Sequence, residues 1–440
     1  MKHRPSLFLA ALAALTPAIS IAGTQPAPAA PAEPPISDWE KFNNWNIGGV
    51  LFPNVHMHGI GGWSTDEPED LATGGHDPRR EAFSAQAIEP GISLRTKYLE
   101  GFVNGIFFQD GEGEWDSELE EAFGKITNLP GGFEIKGGQF LSRFGIQNAT
   151  HLHAWDFVDS EIVNSRFLGE HGILLRGAEV SWTLPLGTDP GFVSIASVGY
   201  GEARPHEHDH DHGGHDHEHE EEAPFEGEEA TLDQNIWTAR LMGRYRPSDF
   251  HQFTGGVSWA GGDNSFGRST DVAGVDFEYL WRENGLEAGG RALRWRNEVL
   301  WRRVGAFSSG EHDHGHEEEH HDHDEEDHGH EEDHHDHGEE DHGSESMSGT
   351  YEELGLYSTL VYTWNPRLDT GLRVGWVEGI EDFGEDERLR ISPNISYWFD
   401  DGRRIGARVQ YNYDNISGAE DEHSVWFQLN IALGSINEVR

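Results

Sequence analysis

The final strand-like segment of this chain restricts what the rest can be. Val425, Phe427, Leu429, Ile431 and Leu433 fall on one face, and Trp426, Gln428, Asn430, Ala432 and Gly434 on the other. Successive side chains of an extended strand point to opposite faces, so this order separates an apolar face from a mixed one. The preceding segment repeats the pattern: Ile405, Ala407, Val409, Tyr411 and Tyr413 stand against Gly406, Arg408, Gln410 and Asn412. Residues 237–246 do so again, with Trp237, Ala239, Leu241, Gly243 and Tyr245 opposite Thr238, Arg240, Met242, Arg244 and Arg246. Alternation over about ten residues, with aromatics toward the ends, suits a strand with lipid on one side and a lumen on the other. A soluble all-β protein would have to cover the uninterrupted apolar faces of 405–413 and 425–433.

Sixteen such segments can be marked, from 45–59 to 421–434, and their connections alternate in length. Short ones are 129–132, 186–190, 247–250, 284–290, 365–368 and 400–403, rich in the Gly, Pro, Asn and Asp of tight turns. Long ones are 60–83, 111–116, 144–170, 204–233, 262–268, 307–349, 381–385 and 416–420. The predicted fold class is all-β: a transmembrane antiparallel β-barrel of about 16 strands, with short periplasmic turns and long extracellular loops. A barrel of that size leaves an aqueous channel, whereas plugged transporters use about 22 strands.

The N-terminus supports an envelope address. Lys2, His3 and Arg4 precede the apolar run 7–19, and Ser20-Ile21-Ala22 offers a cleavage site. The expected organisation is a signal peptide (1–22), a flexible periplasmic leader (23–44), an outer-membrane β-barrel (45–434) and a C-terminal tail (435–440). Localisation to the outer membrane of a Gram-negative bacterium follows. After the signal peptide no apolar run approaches the 20 residues a membrane helix needs.

Charge narrows the partners. The formal net charge is −49, from 31 Lys+Arg against 80 Asp+Glu. That excludes nucleic acid as a partner and favours cations. Cysteine is absent, so thiolate metal sites and disulfides are excluded. No Gly-x-Ser-x-Gly, His-Glu-x-x-His or phosphate loop is present, and the chain is not expected to be an enzyme.

Two of the long loops are His/Asp/Glu-rich and are expected to be disordered, since neither has enough apolar residues for a core. Residues 311–343 hold 12 His and 17 acids, and 206–229 hold seven His and eleven acids. The imidazoles are His206, His208, His210, His212, His215, His217 and His219 in the first. In the second they are His312, His314, His316, His320, His321, His323, His328, His330, His334, His335, His337 and His342. Imidazole and carboxylate bind borderline divalent metals, Zn(II) first, with Cu(II) and Ni(II) also suited. Overlapping sets of ligands imply several ions of modest affinity each. Neutral imidazole is the ligand, so binding should weaken as pH falls through about 6.5. The alternative is a solvated, like-charged loop that only repels its neighbours.

The loop 144–170 is not of low complexity. It carries His151, His153, Asp156, Asp159 and Glu161, with His171 just beyond. A long third loop can fold into the lumen. There it would face a predicted inward ladder of Arg240, Arg244, Arg294, Arg296, Arg373 and Arg408, giving a transverse field at a constriction. His151 and His153 are also candidates for a metal site with Asp156 or Asp159. Equally, these residues can simply fasten the loop to the wall. The inward arginines keep anion passage open as a reading. His56 and His58 alternate on the first segment and read most simply as polar wall.

Within 120–185 the chain resembles a family of bacterial zinc-regulated outer-membrane receptors. The likeness rests on Glu120-Glu121-Ala122-Phe123, Leu129-Pro130-Gly131-Gly132, Gly138-Gln139-Phe140, Phe144-Gly145, His151-Leu152-His153-Ala154-Trp155, Phe157-Val158-Asp159, Leu168-Gly169-Glu170-His171-Gly172 and Gly177-Ala178-Glu179-Val180-Ser181. A more distant likeness is to 16-stranded porins of the phosphate-selective group. The resemblance implies a role in zinc acquisition and coupling to TonB. The chain, however, leaves no room for a plug between Gly23 and the first segment and shows no evident TonB box, which points to diffusion. Homo-trimers are common for barrels of this size, which leaves a homo-trimer open, although the sequence does not fix the oligomeric state. The predicted function is therefore an outer-membrane channel that captures zinc on its outer loops and passes it by diffusion. The alternatives are a general or anion-preferring porin whose loops buffer metal, and a surface metal-binding protein or adhesin without transport.

Overall fold

The computed structural model describes residues 45–186, 191–203, 230–307, 348–380 and 386–435. The expected signal peptide, the leader, both His-rich clusters and all but Ser435 of the C-terminal tail lie outside the described residues. Sixteen strands form one closed antiparallel barrel, each paired with its neighbours in sequence and the last with the first. They are β1 Leu51–Ser64, β2 Ser84–Arg95, β3 Leu99–Gln109, β4 Trp115–Leu129, β5 Phe133–Leu141, β6 Leu174–Leu184, β7 Phe192–Glu202 and β8 Gln234–Ser248, followed by β9 His251–Asp263, β10 Ser269–Arg282, β11 Ala292–Phe307, β12 Ser348–Asn365, β13 Leu368–Val377, β14 Arg388–Trp398, β15 Ile405–Ile416 and β16 Glu422–Gly434. Closure runs from Asn54↔Gly434 to Ser64↔Ser424, so no strand edge is left unpaired.

The alternation sorts the faces as the sequence predicts. Val425, Phe427, Leu429, Ile431 and Leu433 are exposed on the outside, while Trp426, Gln428 and Asn430 are buried within. Rings gather near the strand ends, as in the Phe133–Trp182 stack and the Tyr397–Phe399 and Tyr200–Trp237 pairs. Such belts suit the two bilayer interfaces.

The first strand departs from expectation. It begins at Leu51 and runs to Ser64, instead of spanning 45–59. The sequence puts Ile60-Gly61-Gly62 in the connection 60–83, yet these residues pair with 426–428 of β16. Barrel closure overrides local turn propensity here.

The connection from β1 to β2 carries a short helix, α1 (Pro68–Leu71). The connection from β5 to β6 enters the lumen. It carries a 3₁₀ turn (Leu152–Ala154) and a helix, α2 (Ile162–Leu168). Ile162, Val163, Phe167 and Leu168 of α2 are buried in one cluster with Phe144, Leu300 and Tyr357. Each such side chain contributes roughly 1.5–3 kcal/mol on burial. Two glycines let the helix approach the wall. A Cβ on Gly355 would lie 2.7 Å from Val163 Cγ1, and one on Gly375 would lie 3.1 Å from Ile162 Cγ1. The barrel is thus filled on one side by its own third loop.

Candidate functional site

The third loop is held between two chemically different walls. On one side stand arginines from β11, β13, β14 and β15. Asp159 is their hub: Arg373 donates to its Oδ1 at 2.6 Å and Arg390 to its Oδ2 at 3.0 Å. Gln410 and Asn412 donate to the same carboxylate at 2.6 and 3.0 Å. Arg408 donates to the carbonyls of Phe157 and Trp155 at 2.8 and 3.0 Å. Asp156 pairs with Arg294 and lies 3.6 Å from Arg296. Burial raises both aspartates, but Arg294, Arg296 and Arg408 outweigh it at Asp156, as Arg373 and Arg390 do at Asp159, and both carboxyls end below their usual range. Glu161, buried beside them, is pushed up to about 7 by desolvation.

The opposite wall is built of imidazole and carboxylate. Its key is a β-bulge in β4: Asn104 of β3 pairs with Glu121, but the next residue, Gly105, pairs with Leu119. Glu120 is the extra residue. Simple alternation would send Glu120 and Glu121 to opposite faces; the bulge turns both toward the loop. His151 lies between them, with Nε2 2.8 Å from Glu121 Oε2 and Nδ1 3.4 Å from Glu120 Oε2. Burial opposes the charged form of His151, but Glu120 and Glu121 outweigh it and raise its pKa well above the usual value.

From His151 the pattern continues both ways. Toward the long-loop end, His76 Nε2 is 3.8 Å from Glu120 Oε1, and His171 Nδ1 is 3.7 Å from Glu118 Oε2. Toward the short-turn end, His153 Nδ1 is 3.2 Å from the carboxylate of Glu89, which His58 Nε2 also approaches at 3.4 Å. The His56 and His153 rings stack at 4.0 Å. The first long loop is locked to the third, since Ser160 N donates to Asp77 Oδ1 at 2.7 Å, fixing the neighbour of His76.

Two cavities flank the loop. A small one of about 70 Å³ is lined by His76, Glu118, Glu120, His151 and His171. A larger one of about 420 Å³ is lined by His56, His58 and His153 on one side and by Asp156, Arg294 and Arg408 on the other. Leu152 and Trp155 line both.

The residues singled out from sequence separate into groups. Asp156 and Asp159 do not join His151 and His153; arginines take both carboxylates, which corrects the expectation that they complete a metal site there. His151, His153 and His171 do meet acids, but these are Glu120, Glu121, Glu89 and Glu118, none singled out beforehand as ligands. Arg294, Arg296, Arg373 and Arg408 face the third loop. Arg240 pairs instead with Asp276 of the wall at 2.7 Å, and Arg244 is exposed. Arg390 was missed, although it falls on the buried face of β14 with Ser392 and Ser396. His206, His208, His210, His212, His215, His217 and His219 lie outside the described residues. So do His312, His314, His316, His320, His321, His323, His328, His330, His334, His335, His337 and His342.

No family model matches the chain. Over 89 residues, 20% of its length, it is 37% identical to an uncharacterized protein of Aquifex aeolicus (strain VF5), and it spans only 18% of that protein. Among solved structures, the anion-selective porin from Comamonas acidovorans is similar with a TM-score of 0.50 at 8% identity, over 87% of this chain and 99% of that one. The outer-membrane channel DcaP of Acinetobacter baumannii gives 0.48 at 10% identity, over 89% and 99%. Salmonella typhi OmpF gives 0.48 at 12%, over 87% and 97%. At such identity the first likeness bears on the fold alone. The chain is a multi-pass β-barrel of the Gram-negative outer membrane, with the architecture of a porin-type channel.

Proposed function

We propose that the protein is an outer-membrane diffusion channel for zinc, with its two His-rich loops capturing the ion outside and its lumen passing it inward without TonB coupling. One observation carries this reading. On one side of the third loop, cation-binding groups follow one another from His171 and Glu118 through His151 to His153 and His58. On the other side Arg294 and Arg296 share Asp156, and Arg373 and Arg390 share Asp159, so that wall attracts anions less than its number of arginines suggests. Copper and nickel share the ligand chemistry and are the competing cargoes.

The second reading is an anion-preferring porin whose loops only buffer metal. It is favoured by Arg294, Arg403, Arg404 and Arg408, which line the larger cavity. Planar-bilayer recording under a ZnCl₂ gradient separates the two. A reversal potential toward the zinc equilibrium supports the channel proposed here. A chloride-directed potential unchanged by zinc supports the second reading, and no conductance at all supports a binding protein without transport.

A further inference from the structure

We infer that the imidazole–carboxylate wall holds two divalent-cation sites in series: an outer one at His76, Glu118 and His171, and an inner one at Glu89, Glu120 and His151. This deepens the proposed function and rests on it for the identity of the cargo.

Within each triad, one ligand atom per residue lies within 4.8 Å of the others. A tetrahedral zinc with ligands at about 2.0–2.2 Å draws its donors to about 3.3 Å from one another. Movements of roughly an ångström, within rotamer reach, would close either set.

Two independent observations point to a ligand. The first is unmet capacity. His76 Nδ1 is buried without a hydrogen-bond partner among the described residues, and His151 Nδ1 faces Glu120 Oε2 at 3.4 Å without the geometry of a hydrogen bond. The His76 side chain is 9% exposed and that of His151 only 1%. A buried imidazole nitrogen left unbonded costs free energy unless something accepts or supplies the interaction.

The second is the pairing of the acids. Across the lumen, half-buried Asp156 and buried Asp159 contact arginines. Here, buried Glu89 meets His58 and His153, and Glu120 meets His76, His151 and Asn104. These carboxylates have gathered groups that ligate metals, in place of groups that permanently neutralise charge.

The two sites share a hinge atom by atom. Glu120 turns Oε1 toward His76 and Oε2 toward His151, so one side chain reaches both triads. Beyond the inner triad, Glu89 already touches His153 and His58, which open on the larger cavity. An ion can therefore pass from site to site by exchanging one ligand at a time, with no fully dehydrated step. The outer cavity, where the His171 side chain is 29% exposed, and the 420 Å³ inner cavity provide entry and exit.

The test uses the full-length protein crystallised with Zn(II), with anomalous difference maps at the zinc edge. Density in both triads is expected. Glu118→Gln should remove the outer peak and keep the inner, and His151→Ala the reverse. Zinc density confined to other parts of the molecule would overturn the proposal. A second readout guards against altered folding: zinc block of potassium current through the reconstituted channel. Glu118→Gln, nearly isosteric and at the outer cavity, should raise the half-blocking zinc concentration by roughly 10–100-fold, at least the effect of losing a ligand's supporting partner. An unchanged value would also overturn it. Occupied triads in a protein that passes no zinc would retain the sites and sink the transport reading; zinc flux with empty triads would do the opposite.

Discussion

Asp159 gathers four wall side chains, Arg373, Arg390, Gln410 and Asn412, on one carboxylate of the third loop. Removing one partner of a buried ion pair costs roughly 3–5 kcal/mol, because the other charge stays buried and unpaired. Asp159→Ala takes from Arg373 its closest carboxylate and leaves Arg390 with Asp414 alone, so it should loosen residues 156–168 and widen the passage. Single-channel conductance is expected to rise and amide exchange in this stretch to accelerate; unchanged values would show that Asp159 is not the anchor. Glu161 sets a pH dependence. Its carboxyl titrates near 7 in the folded chain, against about 4.3 in a free one. The folded state holds the extra proton between those values, so the contribution is full below the lower one and is lost as pH rises through 7. Exchange of the loop, corrected for intrinsic rates, should be faster at pH 8 than at pH 5.5 in the wild type, and the difference should shrink in Glu161→Gln. Sequence placed the acids of the third loop near arginines without deciding which histidine or arginine each would meet. Asp159 and Arg390 are 231 residues apart, and only barrel closure joins them. Glu120 was harder still, because alternation alone sends it outward. The signal was present: Glu118, Glu120 and Glu121 put acids on both faces of one strand, which a lipid-facing strand cannot carry without a bulge.

The elements show where pattern suffices and where packing decides. β15 and β16 follow their alternation because lipid on one side and lumen on the other leave a single acceptable register. β1 does not, since its glycine-rich second half looks like a turn and becomes strand only by pairing with β16. Helix α2 was not foreseen as a helix at all. Its seven residues are too few to be stable alone, and its place depends on glycines in β12 and β13 that looked uninformative in the sequence. Gly355→Val should test this. Overpacking costs roughly 1–3 kcal/mol, so protection of 162–168 should fall while the strands keep theirs. Adding Val163→Ala should restore it. If Gly355→Val leaves the helix protected, α2 is held by something other than its fit to the wall.

In the proposed function, the whole molecule divides capture from passage. The two His-rich loops, outside the described residues, carry 19 of the 28 histidines, and within the barrel His58, His76, His151, His153 and His171 lie near glutamates. Capture by neutral imidazole should fade as pH drops through about 6.5, and calorimetry of the full chain with Zn(II) at pH 7.5 and 5.5 should show most of the heat lost at the lower value. Homo-trimeric assembly is a further expectation, checked by the mass of the detergent-solubilised protein. The barrel, its strand count and the inward third loop were legible from periodicity and loop lengths. The continuity of the imidazole–carboxylate wall was not, because it joins β1, β2, β4 and two loops that touch only once the barrel has closed. The central claim is that this wall conducts zinc. The direct measurement is zinc entry into liposomes containing the full-length protein and an internal zinc dye, with no energy source. Entry down the gradient is expected at neutral pH, slowed when His151 is replaced by Ala. Liposomes that pass potassium and chloride but admit no zinc would contradict it.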